Sequence, residues 1–164
     1  RLYGIGPEGA HWLTVDHVPA TKFAMHLAID REEWLRQVHH QPGSQLSQAF
    51  VLGNTLGSVR LLATRVDPTL VALHDGNLPA FLKGLGDRRT LELQPQRVYL
   101  LASDGLWRLE DPLDFIDQWP RLLLQPRPLE ESLAELFAEL ERRTLAEPYP
   151  MGDNCTAVAL RVRD

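Results

Sequence analysis

Cysteine is nearly missing from this chain. Cys155 stands alone among 164 residues, which excludes an internal disulfide framework and any zinc site built from several cysteines. Long apolar runs are missing as well: nothing approaches the roughly 18 consecutive apolar residues of a membrane-spanning helix, and no signal-peptide pattern is present. Basic runs are also lacking. The 17 Lys and Arg against 22 Asp and Glu leave a formal charge of −5, so neither nucleic acid nor an anionic membrane is expected as primary partner. Together these absences point to a reducing, cytoplasmic setting. Internal repeats and low-complexity linkers are absent too. What remains is an ordinary globular composition, 44% hydrophobic and 24% charged, long enough for a single domain over residues 1–164 with a real core. The opening "RLYGIG" reads as the middle of a strand, as in a fragment of a longer chain.

Strand and helix patterns alternate along the chain. "RLYGIGPEGAHWLTV" holds two strand-like runs around Pro7-Glu8-Gly9, where Pro presets φ and Gly accepts a positive one, so a hairpin is expected. "DREEWLRQVHH" begins with Asp30 three residues before Glu33, as a capped helix does, and puts Trp34, Leu35 and Val38 on one face, with "QPGS" ending it. "SQLSQAFVLG" reads as a short helix stopped by Gly53, and "RLLATRV" and "TLVALHDGNLPAFLKG" as strands with a tight turn at Asp75-Gly76. After the apolar "RVYLLASDG", Asp111-Pro112 supplies an N-cap and a first-turn proline for Leu113, Phe115, Ile116 and Trp119, until Pro120 interrupts. "LEESLAELFAELERRTLA" is the clearest helix, with Leu129, Leu133, Leu136, Phe137 and Leu140 in one stripe and charges that suit the helix dipole. "NCTAVALRV" alternates as a strand with Thr156, Val158, Leu160 and Val162 on one side.

Two of these strands have an aspartate at one end: Asp104 follows Val98 to Ala102, and Asp153 precedes Thr156 to Val162. A carboxylate leaving a buried strand is costly without a partner. If the strands are antiparallel neighbours, the two carboxylates converge, and a hard ion such as Mg²⁺ or Mn²⁺ would offset their repulsion while taking oxygens at about 2.1 Å. The competing reading makes Asp104 and Asp153-Asn154 ordinary turn residues.

"LLASDGLW", followed about fifty residues later by "GDNCTAVAL" with an amphipathic helix between, resembles the C-terminal half of the PPM-type metal-dependent serine/threonine protein phosphatases. "WLTVDHV" is similar to the strand of that family ending in leucine-threonine and aspartate-histidine, and "QLSQAFVLG" resembles the helix before its flexible segment. The resemblance implies an α+β fold of antiparallel sheets flanked by helices, part of an αββα sandwich. It also implies Asp104 and Asp153 as ligands of a centre of two or more Mg²⁺ or Mn²⁺ ions, and a phosphoprotein as substrate. In the family's mechanism a water bridging two ions attacks the phosphomonoester in line. No residue is assigned a catalytic role beyond these ligands.

The departures bear on activity. The family's N-terminal half carries an arginine, an acidic residue and an aspartate-glycine in a glycine-rich turn, and none of these stands at the expected place. "VALHDGNLPAF" follows the leucine-threonine strand instead of preceding it, and lacks the glycine pair, so it reads as a turn. Arg108 stands where an acidic residue often follows the tryptophan, and Pro95-Gln96 forms the turn before the Val98 strand, and neither difference removes a ligand. The rival to the enzyme is therefore a catalytically inactive phosphatase-like module that binds and regulates a partner. Asp16-His17 with Ser103 makes a poor hydrolase triad, since no nucleophile-elbow motif surrounds Ser103. His39-His40 diverge on a helix and are expected in solvent. Cys155 reads as a small buried filler, and Trp12, Trp34, Trp107 and Trp119 as packing residues.

Overall fold

A computed structural model describes residues 1–16, 18–39, 73–86, 90–148 and 153–162 of the chain. Its frame is a four-stranded antiparallel sheet in the order β2-β1-β3-β4, from β1 (Leu2–Gly6), β2 (Gly9–Trp12), β3 (Val98–Ala102) and β4 (Ala157–Arg161). β1 and β2 form the expected hairpin, closing at Gly6 opposite Gly9, whose φ of 133° is open to glycine alone without strain. β3 then pairs with β1, Leu2 facing Leu101, and with β4, Ala102 facing Ala157.

Alternate residues of a strand share a face. Tyr3, Ile5, Val98 and Leu100 therefore point together into the main core, where they meet Leu106, Phe115, Trp119, Leu123 and Leu136. These come from the 3-10 turn Asp104–Leu106 and from helices α3 (Pro112–Asp117), α4 (Trp119–Leu123) and α5 (Leu129–Ala146). Trp119 is fully buried, with Tyr3 and Phe115 edge-on to it at ring centroid distances of 4.9 and 5.8 Å. α5 occupies the span its stripe predicts, and buries Leu136 and Leu140. The Thr156–Val158–Leu160 side of β4 faces away: Val158 and Leu160 are exposed beside Leu101, while Ala157 and Ala159 pack on the core.

A second cluster gathers Val15, Val18, Ala20, Ala24, Trp34, Val38, Leu73, Leu78 and Leu82, with Trp12 reaching both cores. It is built on α1 (Pro19–Met25) and α2 (Arg31–Val38). Asp30 caps α2 as expected, accepting from the Glu33 N–H at 2.9 Å. α1 was not anticipated; Pro19 occupies its first turn, and its buried positions are only Ala20, Thr21 and Ala24, too small to mark an apolar stripe.

Two expectations change. Pro120 does not simply stop the helix capped by Asp111; Gln118 ends α3 and starts α4, and Pro120 sits in the first turn of α4, where its missing N–H costs nothing. Residues 73–86 form a turn and a 3-10 helix (Ala80–Leu82) in place of a strand. The Asn77 side chain accepts from the His74 N–H at 2.9 Å, and the Asp75 carboxylate from the Gly84 N–H at 2.7 Å, so local bonds satisfy this backbone. The "QPGS" stop, the "SQLSQAFVLG" helix and the "RLLATRV" strand lie outside the described residues. Among those residues, no helix is long and apolar enough to cross a membrane.

Candidate functional site

The end of the β3–β4 pair is tied together beyond the last ladder pair. The Ser103 N–H donates to the Thr156 carbonyl at 2.9 Å, and the Thr156 N–H returns a 2.9 Å bond to Ser103 Oγ. Ser103 Oγ also reaches the Asn154 carbonyl at 3.5 Å. The chain then turns at once, with Leu106 and Trp107 N–H groups donating to the Ser103 and Asp104 carbonyls. The turn lies flat on the segment entering β4: a Cβ on Gly105 would stand 2.5 Å from the Asn154 carbonyl oxygen and 3.1 Å from Cys155 Cα.

Asp104 and Asp153 thus sit on abutting pieces of backbone, and their surroundings differ. Asp104 acts electrostatically on Cys155: burial pushes that thiol up, a Ser103 hydrogen bond opposes the rise, and the Asp104 charge adds to it. A thiol so raised is not an activated nucleophile. It packs on the main core, as a filler does. Asp153 accepts from the Asn154 N–H at 2.8 Å through Oδ1, while Oδ2 takes a hydrogen bond from Arg108 Nη1. This ion pair is partly shielded, with the Arg108 side chain 21% and the Asp153 side chain 37% exposed.

Hard oxygen donors of this kind are the ones that Mg²⁺ or Mn²⁺ takes, and the cation found on Asp153 is the Arg108 guanidinium. The donors amount to one edge of a site. Among the described residues no three His, Cys, Asp or Glu side chains gather as a metal-holding group, whereas such ions favour about six oxygens, several of them from water or substrate phosphate. Beside this edge opens a groove of about 680 Å³, walled by Phe137, Leu140 and Leu145 of α5 and bordered by Glu141 and Asp153.

Other residues fall into place around this end. The Asp16 carboxylate takes Arg1 Nε at 2.8 Å and Nη2 at 2.5 Å, and Arg1 Nη2 also donates to the Val38 carbonyl at 2.8 Å. The Arg1 side chain is 2% exposed, and its guanidinium lies 4.5 Å from the Trp107 ring centroid. Burial works against this charge, yet Asp16 and the Tyr3 hydroxyl together outweigh it, and the guanidinium is held charged more firmly than usual. Asp16 is thereby a structural counterion, Ser103 is spent on the strand end, and His17 lies outside the described residues. Nothing here assembles a triad among the described residues. His39, expected in solvent, is buried: its ring stacks on Trp12 at 4.6 Å and leans on Trp34 at 5.1 Å. The helix ends there, so the imidazole folds under the hairpin. His40 is outside the described residues. Sequence reasoning missed Arg108 as a partner of Asp153, because only strand pairing brings positions 45 residues apart together.

Compared with known proteins, the chain matches no family model, no curated protein and no solved structure.

Proposed function

We propose that this chain supplies part of the metal centre of a PPM-type, metal-dependent serine/threonine protein phosphatase. One observation carries the reading: the turn of "SDGLW" lies against the "DNCT" segment at a single end of the sheet, with Gly105 too close to Asn154 for any side chain. The two motifs that carry the resemblance are therefore spatial partners. Asp104 and Asp153 would hold Mg²⁺ or Mn²⁺, which when bound supplies an activated water and offsets charge on a phosphoryl group. Ser103 and Gly105 fix the approach of the two segments, and Trp107, buried under Arg1, anchors the far side of the turn. The exposed face of Leu101, Val158 and Leu160 suits the second layer of an αββα sandwich, since a sheet with two apolar faces buries both.

The test is a phosphopeptide assay on the full-length protein, with and without chelator. Asp104→Asn and Asp153→Asn should each abolish most of a chelator-sensitive activity; activity unchanged in both ends the assignment. A second reading, an inactive regulatory module of the same fold, is favoured by the Arg108–Asp153 pair, which places a protein cation where a metal is wanted. A full-length protein without an arginine, an acidic residue and an aspartate-glycine turn before Arg1 would decide for it.

A further inference from the structure

Arg108 leaves the Asp104 turn between two residues that have little freedom. Trp107 is buried beneath the Arg1 guanidinium, and Leu109 is buried in the main core. The next N–H, that of Glu110, donates to the Glu147 carboxylate at 2.6 Å. The backbone at Arg108 is thus anchored on both sides, and its side chain emerges toward Asp153. Nη1 donates to Asp153 Oδ2, while Nε is buried with no hydrogen-bond partner in the structure. An arginine with an unanswered buried donor is not placed for its own hydrogen bonding, because such a donor loses its water and receives nothing back. What holds it there is the Asp153 carboxylate.

We infer that Arg108 is a built-in competitor for the divalent cation at Asp153, so that the ion binds more tightly when the guanidinium gives up the carboxylate. This rests on the reading of Asp104 and Asp153 as metal ligands and adds a regulator to the same site. Any change that drew Arg108 away, such as an anionic group bound nearby, would raise metal affinity without altering a ligand. The guanidinium on Asp153 Oδ2 takes up a lone pair and part of the negative charge that a divalent ion would use, and the mutual repulsion of the two cations at about 5 Å weakens binding by about tenfold even with the screening of bulk water.

The test is isothermal titration of Mn²⁺ into metal-stripped protein, for the wild type, Arg108→Gln, Arg108→Lys, Asp104→Asn, Asp153→Asn and the double variant Arg108→Gln/Asp153→Asn. Arg108→Gln should bind Mn²⁺ about tenfold more tightly than the wild type. Arg108→Lys, which keeps the charge, should stay near the wild-type affinity, and the double variant should lose the gain. An Arg108→Gln affinity no tighter than the wild type overturns the inference, as does a gain that persists in the double variant. If Asp104→Asn and Asp153→Asn weaken binding while Arg108→Gln does not strengthen it, the competitor falls and the metal site stands. If no protein in the series binds Mn²⁺, both fall. Should Arg108→Gln fold poorly, the wild type decides: the Arg108 Nε–H resonance should move on titration with Mg²⁺, and a signal that stays fixed while backbone amides of residues 103–106 shift overturns the inference.

Discussion

Gly105 and Asn154 meet without room for a methyl group: a Cβ on the glycine would lie 2.5 Å from the asparagine carbonyl oxygen and 2.9 Å from its carbonyl carbon. The obstacle is backbone, pinned by the Ser103–Thr156 bonds on one side, and cannot rotate away. Gly105→Ala should therefore cost about 1–3 kcal/mol, the usual penalty for overpacking a fixed contact. Urea denaturation would show it as a lower midpoint at unchanged slope. A loss under about 0.5 kcal/mol would mean that the two segments are less firmly apposed than this geometry requires.

The Arg1–Asp16 pair makes a larger claim on stability. Two charges are held out of water beside Trp107 and the end of α2, and removing one strands the other. Asp16→Leu should cost about 3–5 kcal/mol, while Arg1→Met/Asp16→Leu should cost clearly less than the sum of Arg1→Met and Asp16→Leu, since no unpaired charge remains. Thermal melts of the three variants form a double-mutant cycle. Additive losses would show that Asp16 does not answer the Arg1 charge.

Much of the scaffold was legible because local signals and tertiary packing agree. Asp30 and Asp111 cap the helices they were expected to cap, and the stripe from Leu129 to Leu140 predicts α5 over its whole length. The turn at Asp104 was visible too, as an aspartate-glycine after an apolar strand. What was illegible depends on partners distant in sequence. α1 shows the core only alanines and a threonine, so its burial leaves no apolar period to read. His39 looks polar in isolation and is buried only because Trp12 and Trp34 supply two walls. Arg108 looked like a change of no consequence to the ligands until β3 and β4 were paired.

Asp104 and Asp153 should respond differently to neutralisation in metal-free buffer, although both were read from sequence as members of one pair. Asp153→Asn presents an amide to Arg108 Nη1 and breaks an ion pair that is partly shielded, a loss of about 1 kcal/mol. Asp104→Asn removes a charge that disfavours the Cys155 thiolate. It should leave the melting temperature close to that of the wild type and move the Cys155 pKa modestly downward, burial remaining the larger influence. Iodoacetamide labelling followed against pH measures the second effect. A labelling profile that does not move on Asp104→Asn would place the carboxylate away from the Asn154–Cys155 segment.

A last prediction concerns acid stability, and it comes from α5. Glu139 accepts from Arg142 Nε and Nη2 at 2.8 and 2.6 Å and from Arg143 Nε at 2.8 Å. Arg143 in turn reaches Asp114 of α3 at 2.7 Å and lies over the Phe115 ring, so the Glu139 carboxylate helps to join the two helices. The two arginines hold Glu139 down to about 2 from an ordinary 4.5. A carboxyl group with a lowered pKa in the folded state contributes its full stability above the unfolded value, and loses it as pH falls through the folded one. The contribution should therefore be constant near neutrality and fade between pH 4.5 and about 2. Arg142 is 66% exposed, and solvent screening limits the effect to about 1 kcal/mol. Glu139→Gln, which has no charge to lose, should be less stable than the wild type by that amount at pH 7 and converge with it as the solution is acidified. Chemical denaturation at a series of pH values checks this. A difference as large at pH 2.5 as at pH 7 would show that Glu139 acts through packing and hydrogen-bond shape, and that its charge does not join α5 to α3.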